Sequence, residues 1–461
     1  MGTGSIHAID RSIPHETGDF RVQHLLARPP VHPAPGGKGI ELIKRTPKFG
    51  KLGTKLGKGK LGSSLSTVGA MRPGAIPLAI EFGVSGVKVL QLSGTNPSTI
   101  QAAAFLPTPD DLLDQPAKRL LFQMDALPKF LKGEKINATR ATSLIPSGQM
   151  ICKHLQIIPT DGVPIEQIAG AQLSAQLGCD PSELLIRCRP VSGTQSNGKL
   201  EVICFAASRE FVGRIMGSLK SAKLEPVGIH TEFDALARSI ELRDTSSGNQ
   251  GSVSPTLILD LGCGSTKVLI MHGSEMVFAR NIELGTRHFD ETICHQLRCT
   301  MIEARQMRSE LEVLVPAAVG AGTHSTGVAT ESMPGMPGPA QDDSSEIQAP
   351  APKPGGFSRG PQIDLSEPLE IMCDEISMCL RYHKALFPTM PVERAVFVGG
   401  QACHQPVCEH LARALKLEAQ VLDPMACLAR AGRVPTSGVD LRSPQPGWAS
   451  VVGGALSPMD L

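Results

Sequence analysis

Two stretches far apart in this chain share one pattern. IEFGVSGVKVLQL, starting at Ile80, and LDLGCGSTKVLIM, starting at Leu259, both read apolar, acid, apolar, Gly, a short turn with Ser or Gly, then Lys-Val and an apolar run. Each predicts a strand, a glycine turn and a second strand, and two copies in one chain imply an internal duplication with a repeat most of a domain long. The second copy, within Thr256 to Arg280, carries Asp260 at a strand end, Gly262 and Gly264 around Cys263, then Ser265 and Thr266. Taken alone it is a buried hairpin or a phosphate clasp. Glycines let backbone N–H groups approach an anion, hydroxyls donate to phosphate oxygens, and a strand-end acid can hold a water or a metal.

The bulk numbers narrow the class. At 461 residues and 41% hydrophobic content, the chain has enough apolar material for a large core in two to four domains or subdomains. Lys plus Arg (45) nearly balances Asp plus Glu (44), and a single Trp and a single Tyr leave few stacking faces, so no nucleic-acid partner is expected. The 12 cysteines include no C-x-x-C pair, which points to small buried residues in a reducing compartment rather than a zinc site or a disulfide framework. No run of 18 apolar residues and no signal-peptide pattern is present, so a cytoplasmic location is expected.

Along the chain, residues 1–75, with the run KFGKLGTKLGKGKLGSSLS, are expected to be a disordered basic tail, either a solubilising arm or an electrostatic arm toward an anionic surface. Strands are expected at Leu78 to Phe82 and Val87 to Leu92, and a helix at Leu120 to Leu131. Two more strands around Pro146 to Gly148 are read as completing a small hairpin-rich sheet. An α-β-β-α unit follows at about 161–224, with its helices at Ile165 to Leu177 and Arg209 to Ala222 and its strands at Leu184 to Pro190 and Leu200 to Ala207. It looks inserted, and a strand at Glu225 to Ile229 and a helix at Thr231 to Glu241 resume the first lobe (76–255). The second lobe (256–456) is expected to hold helices at Phe289 to Leu297, Ile302 to Leu311, Leu365 to Leu386 and Gln405 to Leu415, with a buried strand at Ala395 to Val398. Residues 316–364 are read as a disordered insertion, and 457–461 as a tail.

With these elements in order, the chain resembles the actin-like ATPase superfold and, within it, the PilM family of type IV pilus assembly proteins, which is related to FtsA. Three motifs carry the likeness over roughly 77–456: IEFGVSGVKVLQL as a first phosphate segment, LILDLGCGSTKVLIM as a second, and AVFVGGQACHQPVCEHLARAL as an adenosine segment. VPIEQIAGAQLSAQLGC and GTRHFDETICHQLRCTMIEARQMR look like that family's inserted subdomain and second lobe. The resemblance implies an α/β two-lobed, ribonuclease H-like fold with a small inserted α+β subdomain. It implies ATP or ADP with Mg²⁺ held by Glu81, Gly83, Ser85, Gly86, Asp260, Gly262, Gly264, Ser265, Thr266, Gly399 and Gly400, with Asp260 contacting the metal indirectly. It also implies a cytoplasmic scaffold at the inner membrane, bound to the N-terminal peptide of a PilN-like protein and to other pilus assembly proteins, with self-association left open.

The chain departs from that pattern at Glu81, where the family carries aspartate, and at Gln401, where a small residue is usual. An added methylene disturbs the near-octahedral shell magnesium demands, so slow or absent hydrolysis is expected. Two other functions share the superfold. An FtsA-like filament protein is disfavoured by the ending GGALSPMDL, which offers no basic amphipathic helix. A small-molecule kinase needs a catalytic base, for which Glu232 and Asp234 are candidates, although a solvated helix face explains them better. Catalytic residues stay unassigned. His230, His288 and His295 read as packing or surface histidines, Cys263 as a small filler, and Lys88 and Lys267, at equivalent places in the two hairpins, as strand-exposed charges in preference to phosphate contacts.

Overall fold

The computed structural model describes residues 76–94, 98–194, 198–246, 254–311, 363–430, 434 and 436–461. The expected basic tail, the linker near 250 and nearly all of the 316–364 insertion lie outside them. In chain order the strands are β1 (Leu78–Phe82), β2 (Gly86–Ser93), β3 (Thr99–Pro107), β4 (Arg140–Ile145), β5 (Met150–Ile157), β6 (Leu184–Pro190), β7 (Leu200–Ser208), β8 (Glu225–Thr231), β9 (Pro255–Leu261), β10 (Thr266–His272), β11 (Glu275–Ile282), β12 (Arg394–Val398), β13 (Glu418–Val421), β14 (Ala429–Arg430) and β15 (Thr436–Ser437). The helices are α1 (Pro116–Gly133), α2 (Ile165–Leu177), α3 (Arg209–Ser221), α4 (Glu232–Ser246), α5 (Thr286–Leu297), α6 (Met301–Ser309), α7 (Ser366–Leu386), α8 (Gln405–Leu415) and α9 (Ala449–Ala455).

The duplication is written into the sheets. One runs β14-β3-β2-β1-β4-β8, with β15 also on β3, and the other runs β11-β10-β9-β12-β13. In both, the hairpin's first strand pairs antiparallel with its second and parallel with a later strand: β1 with β2 and β4, β9 with β10 and β12. The central strands β1 and β9 are buried throughout, as a strand covered on both faces must be, and their sequences LAIEF and PTLILDL accordingly run apolar up to the acid.

Three arrangements differ from the sequence reading. β4 and β5 form no hairpin: β4 lies parallel between β1 and β8, whereas β5 joins β7 and β6 in a separate three-stranded sheet. Pro146, at φ −56° and ψ 135°, opens a short turn at Ser147–Gln149 that redirects the chain from one sheet to the other. The α-β-β-α unit also divides. α2 covers the small sheet through Ala169 and Leu173, but α3 puts Phe211, Val212, Ile215 and Leu219 into the main core beside Leu127 and Phe233. Finally, the last elements do not pack on the second sheet alone. β14 and β15 pair with β3, and Val451, Val452 and Ala455 of α9 pack with Ala79, Leu90 and Leu92 of the first sheet. On α9, Gly453 also allows a close approach to α4, since a Cβ there would fall 1.7 Å from the Ala235 carbonyl oxygen.

Candidate functional site

The two glycine turns face each other where the lobes meet. Gly264 lies against the first turn so closely that a Cβ would come 2.9 Å from Val84 Cγ2, and Ser265 Oγ is 3.4 Å from Ser147 Oγ on the turn between β4 and β5. Each turn closes on itself: the Gly83 N–H donates to the Gly86 carbonyl at 3.0 Å, and the Gly262 N–H to the Ser265 carbonyl at 3.1 Å. α1 and β3 brace the first. Buried Gln123 donates through Nε2 to the Gly83 carbonyl and to Thr108 Oγ1, and the Thr108 N–H donates to the Ser85 carbonyl. The second turn rests on the start of α5, with the Thr286 and Arg287 N–H groups donating to the Gly262 and Cys263 carbonyls.

The expected site residues therefore divide by role. Ser85, Gly264, Ser265 and Gly400 line the open side of the turns and keep exposed or half-buried surface. Thr266 does not: it is fully buried, and its hydroxyl donates to the Leu284 carbonyl at 2.8 Å. Gly86 is a packing glycine, because a Cβ there would meet the Leu106 carbonyl oxygen at 2.3 Å. Gly399, at φ +93°, sits where a Cβ would fall 2.4 Å from Asp260 Oδ1, so it makes room for the strand-end acid itself.

The lysines of the two hairpins are not strand-exposed charges. The register sets Glu81 across from Lys88 and Asp260 across from Lys267. Lys88 Nζ reaches Glu81 Oε1 at 2.9 Å, and Lys267 Nζ reaches Asp260 Oδ2 at 2.8 Å and Glu232 Oε2 at 3.2 Å. Burial opposes charge on Lys267, but Asp260 and then Glu232 outweigh it and its pKa is raised. At Glu81 burial dominates; with Glu232 adding to it against the pull of Lys88, the carboxyl pKa is raised.

Nor do Glu232 and Asp234 lie on a solvated helix face. Glu232 is buried and accepts from the Ser147 N–H at 3.0 Å, while Asp234 accepts from Arg189 Nε at 2.6 Å and from the Thr231 hydroxyl at 2.9 Å. The Cys263 thiol pKa is pushed up by burial, against the lowering pull of nearby arginines, so it is not an activated nucleophile. Buried His230 hydrogen-bonds the Pro458 carbonyl, and His288 Nδ1 meets the Gly285 backbone at the start of α5.

Beside Gly400 the surface opens into a cavity of about 560 Å³ lined by Ile302, Arg305, Arg308, Gly400, Gln401 and His404. Arg308 is held by a buried pair with Asp290, Nε to Oδ1 at 2.6 Å, and donates to Gln401 Oε1 at 3.0 Å. Gln401, the departure from the expected small residue, thus anchors the turn to α6. Arg305 crosses to the first lobe at Asp110 (2.8 Å), and Arg287 does so at Asp114 (2.6 Å). Sequence reasoning missed Arg305, Arg308 and Asp290. The one signal was a buried-looking acid on α5 followed by two arginines one turn apart on α6.

A magnesium ion held through Asp260 does not fit these residues. Oδ2 is engaged by an ammonium, Oδ1 faces Gly399, where a Cβ would fall 2.4 Å from it, and the side chain is 8% exposed. Among the described residues no group of three or more His, Cys, Asp or Glu is placed to hold a metal, and no helix is long and apolar enough to cross a membrane.

A family model described as "Type IV pilus assembly protein PilM" matches residues 79–313. Among solved structures, a chain of a PilM–PilN type IV pilus biogenesis complex superimposes with a TM-score of 0.59 at 18% identity, covering 83% of this chain and 98% of its own. The ethanolamine utilization protein EutJ of Carboxydothermus hydrogenoformans scores 0.41 at 12% identity, covering 84% and 90%. MreB5 of Spiroplasma citri, bound to ADP, scores 0.39 at 14% identity, covering 76% and 93%. No curated protein sequence matches the chain. The architecture is the two-lobed actin-like one the resemblance implied. With more than half its length matched by the family model, this chain belongs to the PilM family of type IV pilus assembly proteins.

Proposed function

We propose that the chain is a nucleotide-binding scaffold on the cytoplasmic face of a type IV pilus or type II secretion-like machine, peripheral to the inner membrane through a PilN-like partner. Family membership gives the role in pilus assembly. The observation that carries nucleotide binding is the meeting of the two glycine turns at Val84 and Gly264, next to a cavity of about 560 Å³ at Gly400. In this reading the phosphates lie along Ser85, Gly264 and Ser265, where backbone amides and hydroxyls are available, and the base enters the cavity beside Arg308 and His404. The ion pairs Arg305–Asp110 and Arg287–Asp114 already join the lobes, so a nucleotide that adds contacts to both sides biases their closure and with it the partner surface.

Hydrolysis is slow or absent in this reading. Both strand-end acids are paired with lysines, and Glu232 is committed to Lys267 and the Ser147 N–H, so none of the three is free to orient a water. Calorimetric titration of the full chain with ATP and ADP tests binding, and phosphate release tests turnover. Saturable binding with negligible release is expected; no binding at millimolar nucleotide overturns the reading. The partner is tested by capture of the cytoplasmic N-terminal peptide of a PilN-like membrane protein, and failure to bind that peptide removes that arm.

A further inference from the structure

The acids that end the two hairpin strands do not open onto solvent. Glu81, Asp260, Glu232 and Lys267 are each less than a tenth exposed, and they come together from β1, β9, α4 and β10. Lys267 Nζ lies 2.8 Å from Asp260 Oδ2 and 3.2 Å from Glu232 Oε2, and Lys88 Nζ lies 2.9 Å from Glu81 Oε1. Three carboxyl groups thus face two ammoniums. Glu81 Oε2 is buried without a hydrogen-bond partner, an arrangement that favours the neutral acid. With Glu81 protonated, two carboxylates meet two ammoniums and the cluster is neutral without an ion.

A cleft that presents carboxylates to a polyphosphate ordinarily needs a divalent cation to keep the like charges apart and to bind the phosphate oxygens. Here the ammonium of Lys267 occupies one oxygen of Asp260, the other oxygen faces Gly399, where a Cβ would fall 2.4 Å from it, and the side chain as a whole is 8% exposed. Lys267 has little freedom to leave. It sits on a central strand of the second sheet, and its removal would leave Asp260 and Glu232 buried without a counter-charge.

We infer that Lys267, assisted by Lys88, supplies the cationic charge that a divalent ion would otherwise supply, so that this cleft binds a nucleoside di- or triphosphate without a metal. The inference rests on the nucleotide reading above. It also accounts for the glutamate at position 81: the longer side chain meets Lys88 across the hairpin, giving the first lobe the same acid–lysine pair that the second lobe has at Asp260 and Lys267. The two hairpins thus carry the same cross-strand acid–lysine pairing, and the cluster is balanced only as a whole.

The test is equilibrium binding of ADP and ATP to the full chain, once with excess Mg²⁺ and once with excess EDTA. Affinities within about threefold of each other are expected; a loss of more than about tenfold in EDTA overturns the inference and leaves the nucleotide reading standing. Binding in neither buffer removes both. A second arm uses Lys267→Met, with far-UV circular dichroism to confirm folding: its affinity in EDTA should fall by about tenfold or more, with partial recovery in Mg²⁺ as the freed carboxylates admit the ion. Undiminished binding by a folded Lys267→Met in EDTA also overturns it. Where Lys267→Met does not fold, Lys267→Arg replaces it, since the guanidinium keeps the charge and metal-free binding should persist; a folded Lys267→Arg that binds only with Mg²⁺ counts against the inference.

Discussion

Gly264 of the second hairpin abuts Val84 of the first, with space between them for a hydrogen and not for a methyl: a Cβ on Gly264 would lie 2.9 Å from Val84 Cγ2. This contact sets the width of the cleft at the turns. It joins two segments that the chain places far apart, and neither residue's neighbours in sequence indicate the meeting.

Gly264→Val should therefore wedge the turns apart. We expect a lower melting temperature and weaker nucleotide binding, both partly restored in Gly264→Val/Val84→Ala, with a coupling of about 1 kcal/mol in the double-mutant cycle. Additive effects would show that the two turns are independent.

Adjacent glycines of the third motif should behave oppositely. Gly399→Ala forces a Cβ to within 2.4 Å of Asp260 Oδ1 at φ +93°, so a loss of about 2–4 kcal/mol is expected in denaturant titration. At Gly400 a Cβ meets nothing within 4 Å, and Gly400→Ala should lie within about 0.5 kcal/mol of the parent protein.

The two cavity arginines separate a buried pair from a surface one. Arg308 and Asp290 are 3% and 2% exposed, so Arg308→Ala leaves a buried carboxylate with only the longer 3.8 Å pair to Arg305 and should cost about 3 kcal/mol. Arg305 pairs with Asp110 at a site where both side chains are more than a third exposed, and Arg305→Ala should cost no more than about 1 kcal/mol, less at high salt. Urea unfolding of both variants checks the contrast.

Stability should fall in mild acid for a reason remote from the cleft. His383 on α7 is buried against Phe387 with its Nε2 2.8 Å from His272 Nε2; burial, then the neighbouring His272, pushes its pKa down to about 4. The unfolded chain binds a proton there near the ordinary value of about 6.5, so the unfolded state takes up more protons between those pH values. The contribution is present above pH 6.5 and is lost as pH falls toward 4. His383→Phe should flatten the melting temperature against pH in that window, and an unchanged slope would assign the acid sensitivity elsewhere.

How far the fold could be read in advance varied with the element. α2 and α8 begin and end where periodicity and flanking Gly or Pro put them, because caps and apolar spacing are local signals. β3 was not read as a strand at all: its TIQAAAFLP core is alanine-rich and poor in β-branched residues, and its pairing with β2 on one side and β14 and β15 on the other organises it. β5 looked like the partner of β4 because the intervening turn is short, yet whether such a turn closes a hairpin or changes sheets depends on what waits on the far side. Asp290 and Arg308 were hidden for the same reason, since 18 residues and a turn between two helices separate a pair that is 2.6 Å apart.

By itself the sequence determined the duplicated strand–turn–strand units, the order of the three glycine motifs and most helix limits, all of which follow from the local alternation of apolar, polar and glycine residues. The tertiary structure alone decided what each strand-end acid meets. Alternation tells which residues share a face of a strand, but the register across β1–β2 and β9–β10 chooses Lys88 and Lys267 as partners, and the packing of α4 brings Glu232 beside them. A charge on a strand reads as solvated until another element buries it, and burial is a property of the assembled lobes rather than of any segment.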